Sequence, residues 1–430
     1  MRYEDLGITR QEGTTASGIR VVVYRIPRRP IALTVAINAG RRHDPRSLGG
    51  LSHTLEHMLM AGTEELPTKH ELTGYIEQLG GTIGALTGLN LIMLNLTLGT
   101  AEDFPSAVHV LNQMLVHSRY DPETFTNEMS SVEQELAALC SNPRAYAERL
   151  AYEQLVAGSA LVGMTMDNPT SLQRITLEAV RQHASQQLTG HNLVFVLAGG
   201  ITLEAAIAAL DRGLNLESTG QPLTPPAPIV RQANVPSLQV KSFANAPQAQ
   251  LVYSFVAYPP GHPDNPALDI LVQLLGKGGS SLLFQQLRYR AGLVYGVGAD
   301  TLYRWGYDGL TISTATKPAN VKRVMRLINV ELERAASGEL SPQDIAAAQE
   351  ALIKSMPLQL DQLGMLVELH LGPDLYRWPD VTRVLGWLEA VKAVTPADIA
   401  RVARAVFRPD SANLALCGTA PADLDMSILL

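Results

Sequence analysis

His53 and His57 lie four residues apart in the stretch GGLSHTLEHMLMAGT, residues 49–63, and Glu56 stands beside the second histidine. Side chains at i and i+4 share one face of a helix, so both imidazoles can point at one spot. Two neutral imidazoles at that spacing can hold a zinc ion at about 2.0–2.1 Å. Glu56 comes three residues after His53, near the metal face but displaced from it. A carboxylate there can reach an activated water without ligating, which is the position of a general base. The order H-x-x-E-H inverts the more familiar H-E-x-x-H. A helix with two incidental histidines is the plainer alternative, but only ten histidines occur in 430 residues.

Zinc needs a third protein ligand. The stretch YDPETFTNEMSSVEQELAALCSNP, residues 120–143, reads as a helix with a proline near its start, and it carries Glu128, Glu133 and Glu135. Glu128 and Glu135 are seven apart and share a face, whereas Glu133 points elsewhere. Either Glu133 or Glu135 could ligate. The shared face favours Glu135, with Glu128 supporting a ligand from behind. Glu133 reads as a solvated helix carboxylate. The other histidines, at 43, 70, 109, 117, 183, 191, 262 and 370, lack ligand spacing and read as structural or surface groups.

Elements must carry these residues. GIRVVVYRI and PIALTVAINAG alternate as strands, and helices are expected from about 49 and over 68–79. Strands near 81–86 and 91–98, helices over 102–117, 122–141 and 176–187, and a strand over 192–200 complete the first half. The second half follows a similar plan. Strands are expected at 248–258, LVYGVGADTL, GLTISTAT and 413–419, with helices at 265–276, 280–289, 318–336, 342–355 and 396–406. Between the halves, residues 218–236 hold five prolines and no helical period, as in an extended linker. The pattern predicts an α+β chain of two homologous domains, 1–217 and 237–430. Each is a mixed β-sheet packed by helices on one side, and the Pro-rich linker 218–236 joins them.

Composition bounds the function. The chain is 46% apolar and 17% charged, which is ample material for cores. A net charge of −7 argues against nucleic-acid and anionic-membrane partners. The apolar runs are too short to span a bilayer. The N-terminal MRYEDLGITRQEG lacks a basic stretch followed by an apolar core, so no secretory signal is expected. Two cysteines, Cys140 and Cys417, exclude a disulfide scaffold and fit a reducing compartment, so a cytoplasmic location is expected.

GLSHTLEHMLMAGT, IEQLGGTIGALT and YDPETFTNEMSSVEQEL together resemble the pitrilysin family of zinc peptidases, in its shorter two-domain form. These include the mitochondrial processing peptidase and bacterial relatives. The resemblance covers nearly the whole chain. It implies that Glu135, with 77 residues between it and His57, is the third ligand to one zinc ion per chain. LLGKGGSSLLFQQLRYRAGLVYGVGA is similar to the family's C-terminal signature. By that resemblance Arg288 and Tyr295 contact substrate and the developing oxyanion, and both side chains can donate hydrogen bonds. The family usually has Asn at the position of Gly84, beside Ala85 in a strand edge that binds the substrate backbone, and Phe at the position of Met60. The second half has no histidine pair where the repeat would place one.

The resemblance implies a zinc-dependent endopeptidase. Peptides or unfolded segments would add a strand near 81–87 and be cut inside a chamber closed by two subunits. A homodimer is expected because one chain holds both the zinc motif and the Arg/Tyr pair. The alternatives are a catalytic subunit paired with a different, related chain, and a non-catalytic scaffold like the core subunits of a respiratory complex.

Overall fold

Runs of Val, Ile, Leu and Ala at 20–25, 31–37 and 193–199 are buried at nearly every position, as in strands covered on both faces. The structure is a computed structural model and describes residues 3–217, 236–302, 308–375, 383–422 and 424. In chain order the first elements are β1 (Thr9–Thr14), β2 (Arg20–Arg25), β3 (Ile31–Ile37), α1 (Leu51–Ala61), α2 (Lys69–Gln78), β4 (Thr82–Thr87) and β5 (Ile92–Leu98). Then come α3 (Phe104–Val116), α4 (Pro122–Ser141), α5 (Pro143–Leu155), α6 (Pro169–Leu172), α7 (Leu177–Gln187), β6 (Leu193–Gly199) and α8 (Leu203–Gly213). The second half has β7 (Ser237–Lys241), β8 (Ala249–Val256), α9 (Asn265–Gly276), α10 (Leu282–Phe284), β9 (Val294–Leu302) and β10 (Gly309–Thr316). It ends with α11 (Val321–Ser337), α12 (Pro342–Asp361), α13 (Leu363–Leu375), α14 (Arg383–Ala393), α15 (Pro396–Val406) and β11 (Ala412–Cys417). Helix α10 runs on into a π-helical segment, Gln285–Arg290.

Two mixed sheets form. The first has the order β1-β2-β6-β3-β5-β4 and the second β7-β11-β8-β10-β9. Among the described residues only β2–β6 and β7–β11 are parallel pairs. Strand β4 is an edge, held by β5 alone with Gly84 opposite Asn95 and Ala85 opposite Leu94. Strand β9 is the corresponding edge of the second sheet.

The compact units are not the two halves of the chain. One comprises Met1–Leu136, Met166–Pro225 and Met356–Gly386; the other comprises Ala137–Thr165, Pro226–Ser355 and Trp387–Leu430. The domains expected at 1–217 and 237–430 thus each give one helical segment to the other unit. The expected linker, 218–236, lies outside the described residues except for Pro236.

The reason is a second face on each sheet. Side chains alternate along a strand. In the second sheet Leu251, Tyr253, Leu414 and Leu416 join the core of α9, α11 and α15. Val252, Ala415 and Cys417 face the other way and meet Ala147 and Ala151 of α5. In the first sheet, α8 covers the side of Val21: Gly13 pairs with Val21, and a Cβ on Gly13 would meet Ile207 and Leu203. The opposite side carries Tyr24, where His370 of α13 packs with ring centroids 4.4 Å apart. Helix α5 was absent from the expected elements because its buried stripe, Ala147, Ala151 and Leu155, is mostly alanine and reads as weakly apolar. Alanine is what lets a helix approach a sheet closely. We expect Ala151→Leu to lower the unfolding free energy by about 1–3 kcal/mol, because a fully buried site has no room for three more carbons. Chemical denaturation measures this.

Candidate metal centre

Helix α1 is buried on almost every side, with Leu55, Met58 and Leu59 fully enclosed. Its histidines point together toward the partly open side. The two rings are nearly perpendicular, with centroids 4.8 Å apart. Nδ1 of His53 donates to Asp167 Oδ2 at 2.6 Å, and Nδ1 of His57 donates to Glu128 Oε2 at 2.9 Å. Those bonds fix both tautomers and leave each Nε2 lone pair free. Both lone pairs face Glu135: His53 Nε2 is 3.5 Å from its Oε2, and His57 Nε2 is 3.6 Å from its Oε1.

His53, His57 and Glu135 offer ligand atoms that all lie within 4.8 Å of one another, the one such group among the described residues. Tetrahedral ligands at about 2.0–2.1 Å from zinc stand about 3.3 Å apart. The two histidine–Glu135 spacings are within a few tenths of an ångström of that, so the donor set fits the ion. Glu135 is 59% exposed at its side chain, so the site is open to water on that side. Glu133, two residues away, is exposed and takes no part. Glu56 Oε2 lies 3.9 Å from His53 Nε2 and accepts a hydrogen bond from Thr87 Oγ1 at 3.0 Å.

The charges favour a cation. Burial would lower the His57 imidazole, but the Glu128 hydrogen bond and the charges of Glu56, Glu135 and Glu128 outweigh it and raise the pKa. Burial would raise the Asp167 carboxyl. The His53 hydrogen bond and the Arg41 guanidinium, 3.1 Å away, outweigh that and hold it down to about 2.

A second buried network holds the start of α1. Gly50, at φ 102°, caps the helix without a side chain, and a Cβ there would collide with Leu172. Asp44 supplies the missing acceptor, taking Gly50 N–H at 2.8 Å, Ser52 N–H at 2.9 Å and the Ser52 hydroxyl at 2.5 Å. His183 Nε2 lies 3.1 Å from Ser52 Oγ. Burial pushes the Asp44 carboxyl up to about 6 despite these bonds. Burial, aided by His43, brings His183 down to about 4.

Other sequence-derived candidates stand on other elements. Gly84 and Ala85 sit on the edge strand β4, and a Cβ at Gly84 would meet nothing within 4 Å, so packing does not demand glycine there. Met60 is buried in the core. In the second unit, the Arg288 guanidinium lies over Tyr295 at 4.5 Å and over Phe284 at 5.0 Å. Tyr295 is 81% exposed at the start of β9. The sequence reading missed Asp167, Arg41, Thr87, Asp44 and Ser52. Asp167 lies 110 positions beyond His57 in an aperiodic connection, where no spacing rule links it to the zinc helix.

Two family models match the chain: the insulinase model of peptidase family M16 over residues 20–168, and the Peptidase M16 inactive domain over residues 174–352. The chain belongs to peptidase family M16. It is 25% identical over 402 residues to an uncharacterized zinc protease of Streptomyces coelicolor, covering 92% of this chain and 86% of that protein. It is 24% identical to an uncharacterized zinc protease of Bacillus subtilis, covering 81% and 84%. It is also 27% identical over 199 residues to the beta subunit of the mitochondrial-processing peptidase of Dictyostelium discoideum, covering 45% and 41%. The fold is shared with a crystal structure of a protease from Helicobacter pylori, with a TM-score of 0.87 at 16% identity over 96% of this chain and all of that one. Among the described residues no helix is long and apolar enough to cross a membrane.

His183 gives a pH signature. Its folded pKa lies below the ordinary 6.5, so the unfolded chain binds the proton more tightly. Stability from this group is therefore fully present above pH 6.5 and is lost as pH falls toward 4. We expect the unfolding free energy of the parent minus that of His183→Gln to rise between pH 4 and 6.5 and to stay flat above. Denaturation of both proteins across that range checks the sign.

Proposed function

We propose that this chain is a zinc-dependent endopeptidase in which His53, His57 and Glu135 hold the ion. The observation that carries the reading is the convergence of two tautomer-fixed Nε2 atoms and one open carboxylate, with Glu56 beside them. Zinc, when bound, supplies the Lewis acidity that polarises a scissile carbonyl and acidifies a water. Glu56 takes the proton of the attacking water and returns it to the leaving amine. Glu128 and Asp167 keep both imidazoles oriented. An extended peptide adds a strand to β4 beside Gly84 and Ala85, on the side where β4 has no strand partner among the described residues. Arg288 and Tyr295 donate to the substrate and to the oxyanion as it forms.

A chamber closed by two copies of the chain is the more economical assembly, since each copy carries both residue sets. The processing-peptidase relative supports a second arrangement, a heterodimer with a related subunit. A native mass measurement separates the two. Cytoplasmic residence belongs to this reading and is supported by two free cysteines, Cys140 and Cys417.

Hydrolysis of a quenched peptide mixture, with zinc assayed in parallel, tests the activity. Glu56→Gln should keep zinc and lose about 100-fold or more in rate. Glu135→Gln should lose zinc affinity as well. Chelation of the parent should abolish hydrolysis, and added zinc should restore it. A parent chain that holds no zinc when supplied with it would overturn the reading.

A further inference from the structure

We propose that Arg41 is a positioning residue that sets the base Glu56 and the ligand His53 from one guanidinium. This rests on the peptidase reading of the site. Arg41 Nη1 donates to the Thr87 carbonyl at 2.5 Å, and Nε donates to Asp167 Oδ1 at 3.1 Å. Thr87 Oγ1 donates to Glu56 Oε2, and Asp167 Oδ2 accepts from His53 Nδ1. His53 Nε2 lies 3.9 Å from Glu56 Oε2, which closes a ring of contacts. The base and the ligand therefore share one anchor.

The root of that anchor is rigid. Arg41 N–H donates to Gly88 O at 3.1 Å, while Gly40 and Arg42 donate to Asn90 O and Leu89 O. The two segments run so close that a Cβ on Gly40 would lie 2.3 Å from Leu91 N. Thr87 is the last residue of β4 and is buried, so its hydroxyl has a fixed direction. It occupies one lone pair of Oε2. The strand expected to take the peptide thus ends on the residue that orients the base. The two bonds of Arg41 leave different nitrogens of a planar fork. A lysine ammonium is a single point donor and cannot span both acceptors.

The zinc-loaded chain and three variants, Thr87→Val, Thr87→Ser and Arg41→Lys, test this by kcat and KM on a quenched peptide, by zinc affinity against a chelating dye, and by thermal midpoint. Thr87→Val should lower kcat by about ten-fold or more, with KM and zinc affinity within about two-fold of the parent. Thr87→Ser should recover most of that loss. Arg41→Lys should lower kcat and also weaken zinc by about 10–100-fold. Unchanged zinc affinity in Arg41→Lys, unchanged kcat in Thr87→Val, or no rescue by serine would overturn the proposal. So would parallel losses in every readout with a lowered midpoint, the pattern of mere destabilisation. If the parent binds zinc but cleaves no peptide, the peptidase reading fails. Arg41 is then judged on zinc alone, where a loss in Arg41→Lys without one in Thr87→Val upholds it.

Discussion

An imidazole enclosed by protein must have both nitrogens satisfied, and α1 carries two of them in a helix with almost no exposed side. Leaving one buried polar atom without a partner costs about 1–3 kcal/mol. Each Nδ1 therefore claims a carboxylate, Asp167 for one ring and Glu128 for the other. A carboxylate brought inward needs support of its own, and Asp167 finds it in Arg41. Arg41 in turn spends its remaining reach on the carbonyl that ends the edge strand. The demands run outward until they meet water at Glu135. What is left facing the opening is two lone pairs, one exposed carboxylate and the base.

The same logic governs the start of the helix. Gly50 is required for its positive φ and for the nearness of Leu172, so the N-cap position offers no side-chain acceptor. Asp44 caps from six residues upstream, and Ser52 links it to His183 on α7. A helix pinned at its N-terminus and enclosed along its length holds His53 and His57 in one orientation before any ion arrives. Preorganisation of that kind is what metal sites need from the scaffold behind their ligands.

The sequence exposes the parts that are local. His53, Glu56 and His57 are read from helical spacing, and α1, α4 and the strands around them lie within a few residues of their expected limits. Seven-residue spacing favours Glu135 over Glu133 and the family resemblance decides between them; Glu135 is the one that faces the histidines. The supports were not legible because each joins segments far apart in the chain: Asp167 to His53, Thr87 to Glu56, Ser52 to His183. The compact units depart from the two halves of the chain for the same reason. Helices α5 and α13 cover the faces of Val252 and Tyr24, which only the pleat of a finished sheet identifies. Helix α13 is apolar around much of its circumference and so shows no period by which to place it.

The second unit shows what α1 would be without this chemistry. Helix α9 follows β8 as α1 follows β3, and like α1 it is buried along most of its length. A glycine stands at the end of each: Gly62 after α1, where a Cβ would strike Pro67, and Gly276 closing α9, where one would strike Ala299. Counted back from those glycines, the places of His57, Glu56 and His53 are taken by Leu271, Ile270 and Ala267, all buried. Apolar side chains there need no partners, and none of the acid and arginine supports of α1 is required. One helical position can thus be filled in two ways. The apolar filling is self-sufficient, whereas the polar one is viable only with Asp167, Glu128 and Asp44 in place. The distant carboxylates are part of the motif as a physical object, though the motif as a string of letters ends at His57.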